Sequence, residues 1–306
     1  MNSAGSPAVD ISAARPVRGG RRLSLKWLGV WLGVLPFFVY VGLFLILPSF
    51  IIAAGSFLSQ DGSLTLTNLI AIGQQPYMIK SFVNSAIISV VSALAGAIAG
   101  ALLAYAVATG NSRGALRRIV TSASGVLAQF GGVTLAFAFI ATLGTVGFVT
   151  LFLKDRGIDI FANGVWLYEL SGFTLIYTYF QIPLMVLVFL PALDGIRPQW
   201  REATESLGGS TWHYWRYVAG PLLAPAFLGC TLLLFANAFS AYATAAALTT
   251  AGGAIVPLQI SNLFTSETGQ AQPGLAKALA LAMIVVVTVV MFLYTLLQRR
   301  TSRWLR

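Results

Sequence analysis

Acid–base or nucleophilic chemistry needs a histidine, a cysteine or paired carboxylates within reach of a substrate. This sequence of 306 residues supplies one histidine, His213, one cysteine, Cys230, and nine Asp and Glu residues. A single cysteine excludes an internal disulfide and a cysteine-based metal site. The only Lys-Ser/Thr pair is Lys80-Ser81, preceded by Ile79 where a Gly-x4-Gly-Lys-Ser/Thr loop would need glycine. The chain therefore has no such loop to hold ATP phosphates. His213 lies in a loop away from any apolar stretch, which argues against a Ser–His intramembrane protease. What remains are uncharged polar side chains inside apolar stretches: Gln129, Tyr177, Tyr179, Gln181, Asn237, Ser240 and Tyr242. In lipid such groups turn toward protein or a water-filled cavity. Asn237 and Ser240, three apart, share a helix face, as do Tyr177 and Gln181, four apart. Gln129, Tyr177, Gln181, Asn237, Ser240 and Tyr242 are candidates to line a solute path, with hydrogen bonding between helices the equal alternative for each.

Long apolar helices must position these residues. Hydrophobic residues make up 57% of the chain and charged residues 9%, against roughly 25% charged in soluble domains. Stretches free of Lys, Arg, Asp and Glu run over 27–60, 81–112, 119–153, 170–193, 217–266 and 278–298. Each is long enough for the roughly 20 residues that cross a bilayer. The fifth turns polar after Thr249 (Thr250-Ala251-Gly252-Gly253, then Pro257), which predicts one span near 222–248 followed by a loop with a short helix. Segment 62–79 is uncharged but holds Thr65, Thr67, Asn68, Gln74, Gln75 and Pro76, and is left outside the bilayer. The expectation is an all-α polytopic membrane protein with six transmembrane helices.

Its net charge of +10 follows topology. Arg15, Arg18, Arg21, Arg22, Lys26, Arg113, Arg117, Arg118, Arg197, Arg201, Arg216, Arg299, Arg300, Arg303 and Arg306 fall on one side of the spans. Only Lys80, Lys154, Arg156 and Lys277 fall on the other. The positive-inside rule then places both termini in the cytoplasm, and nucleic-acid binding is the weaker reading of the basic charge. Residues 1–14 read as a disordered tail, and the apolar run from Trp27 to Leu58 as an uncleaved signal anchor. The expected organisation is a basic cytoplasmic tail over 1–26, a first helix and external loop over 27–80, a core over 81–298, and a basic tail over 299–306. No Asp, Glu, Lys or Arg falls inside a span, which counts against an ion-coupled secondary transporter. That class is kept as the alternative.

The inside loop 194–221 is long and patterned. Pro198 suits a first helical turn, Gly208 a left-handed helix end, and Ser210 or Thr211 the cap of a second short helix carrying Trp212, Tyr214, Trp215 and Tyr217. A helix-turn-helix results. Glu202-Ala203-Thr204 is followed after three residues by Gly208, after nine more by Val218, and after one more by Gly220-Pro221. This resembles the Glu-Ala-Ala loop of the membrane subunits of type I binding-protein-dependent ABC importers. Thr204 replaces the second Ala of that pattern, Val218 an Ile and Gly220 a Leu; the last is expected to loosen the start of the following helix. Phe82-Val83-Asn84-Ser85 and Gln181-Ile182-Pro183 are similar to the same family, so that the likeness covers roughly 80–298 and leaves the first helix as an addition to a five-helix core.

The resemblance implies that the loop is a coupling helix seated in a cytoplasmic ATPase subunit, which binds the ATP and Mg that this chain does not. Its docking residues are then Glu202, Ala203, Thr204, Gly208, Trp212 and Pro221. It also implies a second permease subunit, homologous or identical, an extracytoplasmic solute-binding protein, and residence in the bacterial inner membrane. An interfacial hairpin anchored by Trp212 and Trp215 is the plainer reading of the aromatics. Leu207 before Gly208 looks like the polyamine, phosphonate, ferric iron and oxyanion groups of the family, and the run Asn237-Ala238-Phe239-Ser240-Ala241-Tyr242 looks most like the spermidine/putrescine-type permeases. A polycation would want carboxylates, yet Asp155, Asp159, Glu169 and Glu267 all fall outside the spans.

Gly96-x3-Gly100, with Ala93, Ala97, Ala101 and Ala104 around it, predicts close helix packing. Glycines at 125, 131, 132, 144 and 147 predict a bent third helix, and Pro183 a kink in the fourth.

Overall fold

The computed structural model describes residues 25–59, 62–110, 114–162, 164–249, 255–265 and 272–302. Arg15, Arg18, Arg21, Arg22, Arg113, Arg303 and Arg306, the tail over 1–14 and the polar run Thr250–Gly253 lie outside the described residues. The fold is all-α. Among the described residues, six stretches are long and apolar enough to cross a membrane: Gly33–Ser56, Pro76–Thr109, Gly132–Lys154, Leu170–Asp194, Thr211–Ser240 and Pro273–Leu297.

The chain divides into two compact units, Met1–Phe50 and Ile51–Arg306. The first contains α1 (Leu25–Val41) and a π-helical turn over Gly42–Ile46, and α2 (Leu47–Ser56) follows. The second unit holds α3 (Thr67–Gln74) and α4 (Pro76–Thr109). The segment expected to be an external loop up to residue 80 thus contains a helix of its own, and α4 starts at Pro76, where proline needs no N–H partner. Ala71 and Ile72 of α3 are partly buried and pack with Met78, Leu275 and Leu279.

α4 is patterned inside out. Ser85, Ser89, Ser92, Ala93, Gly96, Ala97, Gly100 and Ala104 are buried, while Ile87, Val91, Leu94, Ile98 and Leu102 form an exposed stripe at helical spacing. Lipid tails are as apolar as leucine, so membrane helices associate through small residues that permit close backbone approach. The partner is α8 (Leu170–Asp194), which runs unbroken through Pro183 and Pro191. A Cβ on Gly96 would stand 2.4 Å from the Gln181 Cβ, and one on Gly100 2.5 Å from the Met185 Cβ.

The third apolar stretch is not one helix over 119–153. It is α5 (Ala115–Gln129), α6 (Gly132–Leu143) and α7 (Phe148–Lys154), with the membrane-length portion starting at Gly132. The helix breaks because Gly132 adopts φ +68°, a left-handed conformation that glycine reaches without strain. α5 is amphipathic, with Arg117, Val120, Thr121 and Ser124 turned inward along α8. α9 (Pro198–Ser206) and α10 (Thr211–Tyr214) form the loop hairpin, and a π-helical turn over Trp215–Ala219 leads into α11 (Gly220–Ser240). α12 (Ala243–Leu248), α13 (Val256–Thr265) and α14 (Pro273–Ser302) complete the bundle, and α11 packs on α4, α8 and α14. The Val256 N–H at the start of α13 donates to the Ser85 hydroxyl at 2.9 Å, tying that helix to α4.

Candidate functional site: a helical hairpin and two broken helices

The hairpin is built as its residues dictate. Pro198 opens α9, and Gly208 at φ +77° ends it. Thr204 donates to the Trp200 carbonyl at 2.8 Å, and its methyl group fills the space a Cβ on Gly209 would need, 2.7 Å away. Ser210 caps α10, with its hydroxyl 2.8 Å from the His213 Nδ1; His213 thus takes the place a Glu or Gln holds in a capping box. The Arg201 guanidinium bonds Glu205 at 2.9 Å, which holds its pKa above the ordinary arginine value.

The Glu-Ala-Thr spacing acquires a geometric meaning here. Ala203 and Thr204 on α9 face Val218 of the π turn and Pro221 at the base of α11 across an open groove of about 650 Å³ that Trp200 and Leu207 also line. Glu202, Leu207 and Trp212 point to solvent, Leu207 at 89% and Trp212 at 68% exposure. Trp215 turns inward instead, edge-on to Tyr105 of α4 at 5.2 Å.

Gly220 sits directly after a π turn at the start of α11. A Cβ there would stand 2.4 Å from the Trp215 carbonyl oxygen, because the π turn brings that oxygen under residue 220. The departure from the family pattern is thus matched to a local widening of the helix. Gly220→Leu is expected to force the π turn out and unseat Trp215, lowering the apparent unfolding temperature by several degrees, at an overpacking cost of about 2 kcal/mol. A thermal unfolding curve of the purified chain measures this.

The six path candidates separate into two groups. Tyr177 and Gln181 on α8 are closed into the interior. The Tyr177 hydroxyl donates to the Ala241 carbonyl at 2.7 Å, and Gln181 Nε2 to the Leu234 carbonyl at 2.6 Å. Gln129, Asn237, Ser240 and Tyr242 are exposed, with Asn237 Nδ2 3.4 Å from Gln181 Oε1 and the Tyr242 hydroxyl 3.0 Å from that of Ser261. These four cluster around two breaks, Phe130–Gly132 between α5 and α6 and Ala241–Tyr242 between α11 and α12. The breaks lie together, since a Cβ on Gly132 would touch the Ala243 Cβ at 3.5 Å. Broken backbone inside a bilayer must find partners within the protein, and Tyr177 supplies one at Ala241. Tyr177→Phe leaves that carbonyl without its donor. We expect a loss of about 1–3 kcal/mol, read as a lower unfolding temperature of the detergent-purified chain.

Cys230 is buried and its thiol donates to the Val188 carbonyl at 3.6 Å, a packing role. Sequence reasoning missed both breaks as paired features, and it missed the joint between Arg117 and Asp194. Only the glycines at 131 and 132 signalled any of this.

Six membrane-length stretches among the described residues, broken helices bearing uncharged polar groups and a patterned helical hairpin are what a membrane permease subunit would need. Residues 134–303 match the family model for the "Binding-protein-dependent transport system inner membrane component". The match takes in more than half of the chain, and the chain belongs to that family. It is an inner-membrane component of a binding-protein-dependent transport system. Among curated proteins it is similar to the thiamine transport system permease protein ThiP of Escherichia coli (strain K12), 26% identical over 115 residues, 37% of this chain and 20% of that one. The corresponding protein of Salmonella typhimurium (strain LT2) is 28% identical over 118 residues, 39% of this chain and 22% of its own length. The chain thus matches about a fifth of the length of these relatives. Among solved structures, a bacterial ABC transporter involved in the import of the acidic polysaccharide alginate aligns with a TM-score of 0.67 at 17% identity, over 91% of this chain and 96% of that one. A bacterial alginate ABC transporter in complex with an alginate pentasaccharide-bound periplasmic protein aligns at 0.66 and 18%, over 92% and 96%. At that identity the likeness is one of fold.

Proposed function

We propose that the hairpin end of the bundle faces the cytoplasm and docks on an ATPase subunit through Glu202, Ala203, Thr204, Gly208, Trp212 and Pro221. ATP and Mg are held by that subunit, and both termini of this chain lie on its side of the membrane. A second permease, homologous or identical, covers the face bearing Gln129, Asn237, Ser240 and Tyr242, so that the path runs between the two. A binding protein delivers the solute from the other side. The observation that carries this reading is the hairpin: its spaced residues form one folded unit with exposed Glu202, Leu207 and Trp212, seated against α4 and the base of α11.

For the solute, a small organic cation reconciles the spermidine/putrescine-like run at 237–242 with relatives named for thiamine transport. Among the described spans the one acidic side chain, Asp194, sits at the hairpin end of α8 and is engaged by Arg117, so selection belongs to the binding protein and the path only has to pass the cation. Thiamine ranks ahead of polyamines. Co-purification of the tagged chain from its native membrane, with mass spectrometry of its partners, tests the assembly: an ATPase with a Gly-x4-Gly-Lys-Ser/Thr loop is the expected companion. Uptake of labelled thiamine and labelled spermidine by the reconstituted assembly then tests the solute. A chain that purifies alone and transports without ATP would return the ion-coupled carrier to first place.

A further inference from the structure

Among the described residues three ion pairs form, and two are local: Lys154 with Asp159, and Arg201 with Glu205 on the same helix. The third, between Arg117 and Asp194, joins α5 to α8 across 77 residues of sequence. Both partners sit where helix electrostatics disfavours them. Arg117 is in the first turn of α5, at the positive end of the helix dipole, and Asp194 is the last residue of α8, at the negative end. Each charge finds its compensation in the other. Surface pairs of this kind contribute little to stability, and Asp194 is 43% exposed, so the pair's placement calls for a different explanation.

Its position offers one. Only Gly195, Ile196 and Arg197 separate Asp194 from α9, so a displacement of the hairpin pulls directly on this carboxylate. Arg117 is at the near end of α5, a 15-residue rod roughly 22 Å long. At the far end of the rod is the exposed Gln129, followed at once by the break at Gly131–Gly132. We propose that Arg117 and Asp194 are positioning residues that transmit hairpin movement to α5, which swings Gln129 about the glycine break. The inference rests on the proposed ATPase docking and names the route by which that docking reaches the path.

The test needs no knowledge of the solute. A Gln129→Cys probe is placed in a Cys230→Ala background, in the co-purified assembly with its ATPase. Maleimide labelling is then timed with and without ATP and vanadate. With the ion pair intact, labelling should change at least about fivefold on trapping. Arg117→Asp and Asp194→Arg should each abolish that change while ATP hydrolysis and assembly persist, and the double exchange R117D/D194R should restore it. The neutral double variant R117Q/D194N guards against misfolding of the reversed charges; it should assemble and remain unresponsive. Single variants that respond like the intact pair overturn the proposal, as does a double exchange that assembles without regaining the response. If the intact pair recruits no ATPase, the docking reading falls first and this one with it; if it recruits a hydrolysing ATPase yet labelling at Gln129 does not respond to ATP, this proposal alone is overturned.

Discussion

Gly100→Ala is expected to destabilise the protein by about 2 kcal/mol or more, although a glycine-to-alanine change inside a helix ordinarily stabilises by about 0.5–1 kcal/mol. The sign reverses because α4 and α8 touch through their backbones. A Cβ on Gly100 would stand 2.6 Å from the Ile182 carbonyl oxygen as well as 2.5 Å from the Met185 Cβ. Neither atom is the free end of a flexible side chain, so the helices themselves must part. Gly96→Ala acts in the same way against Gln181, and parting the helices there also loosens the bond from Gln181 to the Leu234 carbonyl. Gly125 on α5 provides the matched control, since nothing lies within 4 Å of its would-be Cβ; Gly125→Ala should be neutral or slightly stabilising. Thermal unfolding of the three variants in one detergent reads the comparison. Equal behaviour of Gly100→Ala and Gly125→Ala would show that the α4–α8 interface is looser than described.

This contrast also explains what the sequence made legible. Hydropathy places the membrane-length stretches well, because a run of apolar residues has few alternatives in lipid. The small residues of α4 announced close packing, and Pro198 and Gly208 marked the ends of α9 through their own backbone limits. The breaks were harder to read. Glycines at 125, 131, 132, 144 and 147 look alike in sequence, yet only Gly132 among them takes a positive φ, and nothing local singles it out. The break at Ala241 has no glycine or proline at all; the Tyr177 hydroxyl, 64 residues away, bonds the carbonyl released there. The 3.6-residue pattern of α5 was hidden inside an apolar run read as one span. The helix α3 was hidden by Thr67, Asn68 and Gln74: its packed face is only half-buried, formed by Ala71 and Ile72 together with Asn68, whose amide bonds the Ser56 and Leu58 carbonyls. Of the candidate path, the residue types were legible but their orientation was not: Tyr177 and Gln181 look inward, whereas Gln129, Asn237, Ser240 and Tyr242 look out.

Gly208→Val combined with Glu202→Ala is expected to cut retention of the ATPase subunit, and solute uptake with it, at least about tenfold, while membrane insertion and the unfolding temperature of the spans stay close to the parent. The two changes act differently. Gly208 stands in open space at φ +77°, so a valine there clashes with no neighbour and suffers only its own backbone strain. A non-glycine residue in that conformation costs about 1–2 kcal/mol, and more when β-branched. This is enough to rearrange a nine-residue helix whose end it fixes, and too little to disturb α4 or α8. Glu202 is exposed beside an Arg201 already engaged with Glu205, so its charge is available to a partner. Gly208→Asn separates geometry from sequence identity, because asparagine enters the left-handed region readily. That variant, with Glu202 intact, should keep most of the ATPase. Were Gly208→Asn to fail as badly as Gly208→Val, the turn would not be what matters at 208, and a side-chain clash with the partner subunit would take its place. Should the double variant bind its ATPase and transport normally, α9 is not the coupling element. The exposed aromatics Trp212 and Tyr217 would then be membrane anchors, as their composition alone suggests.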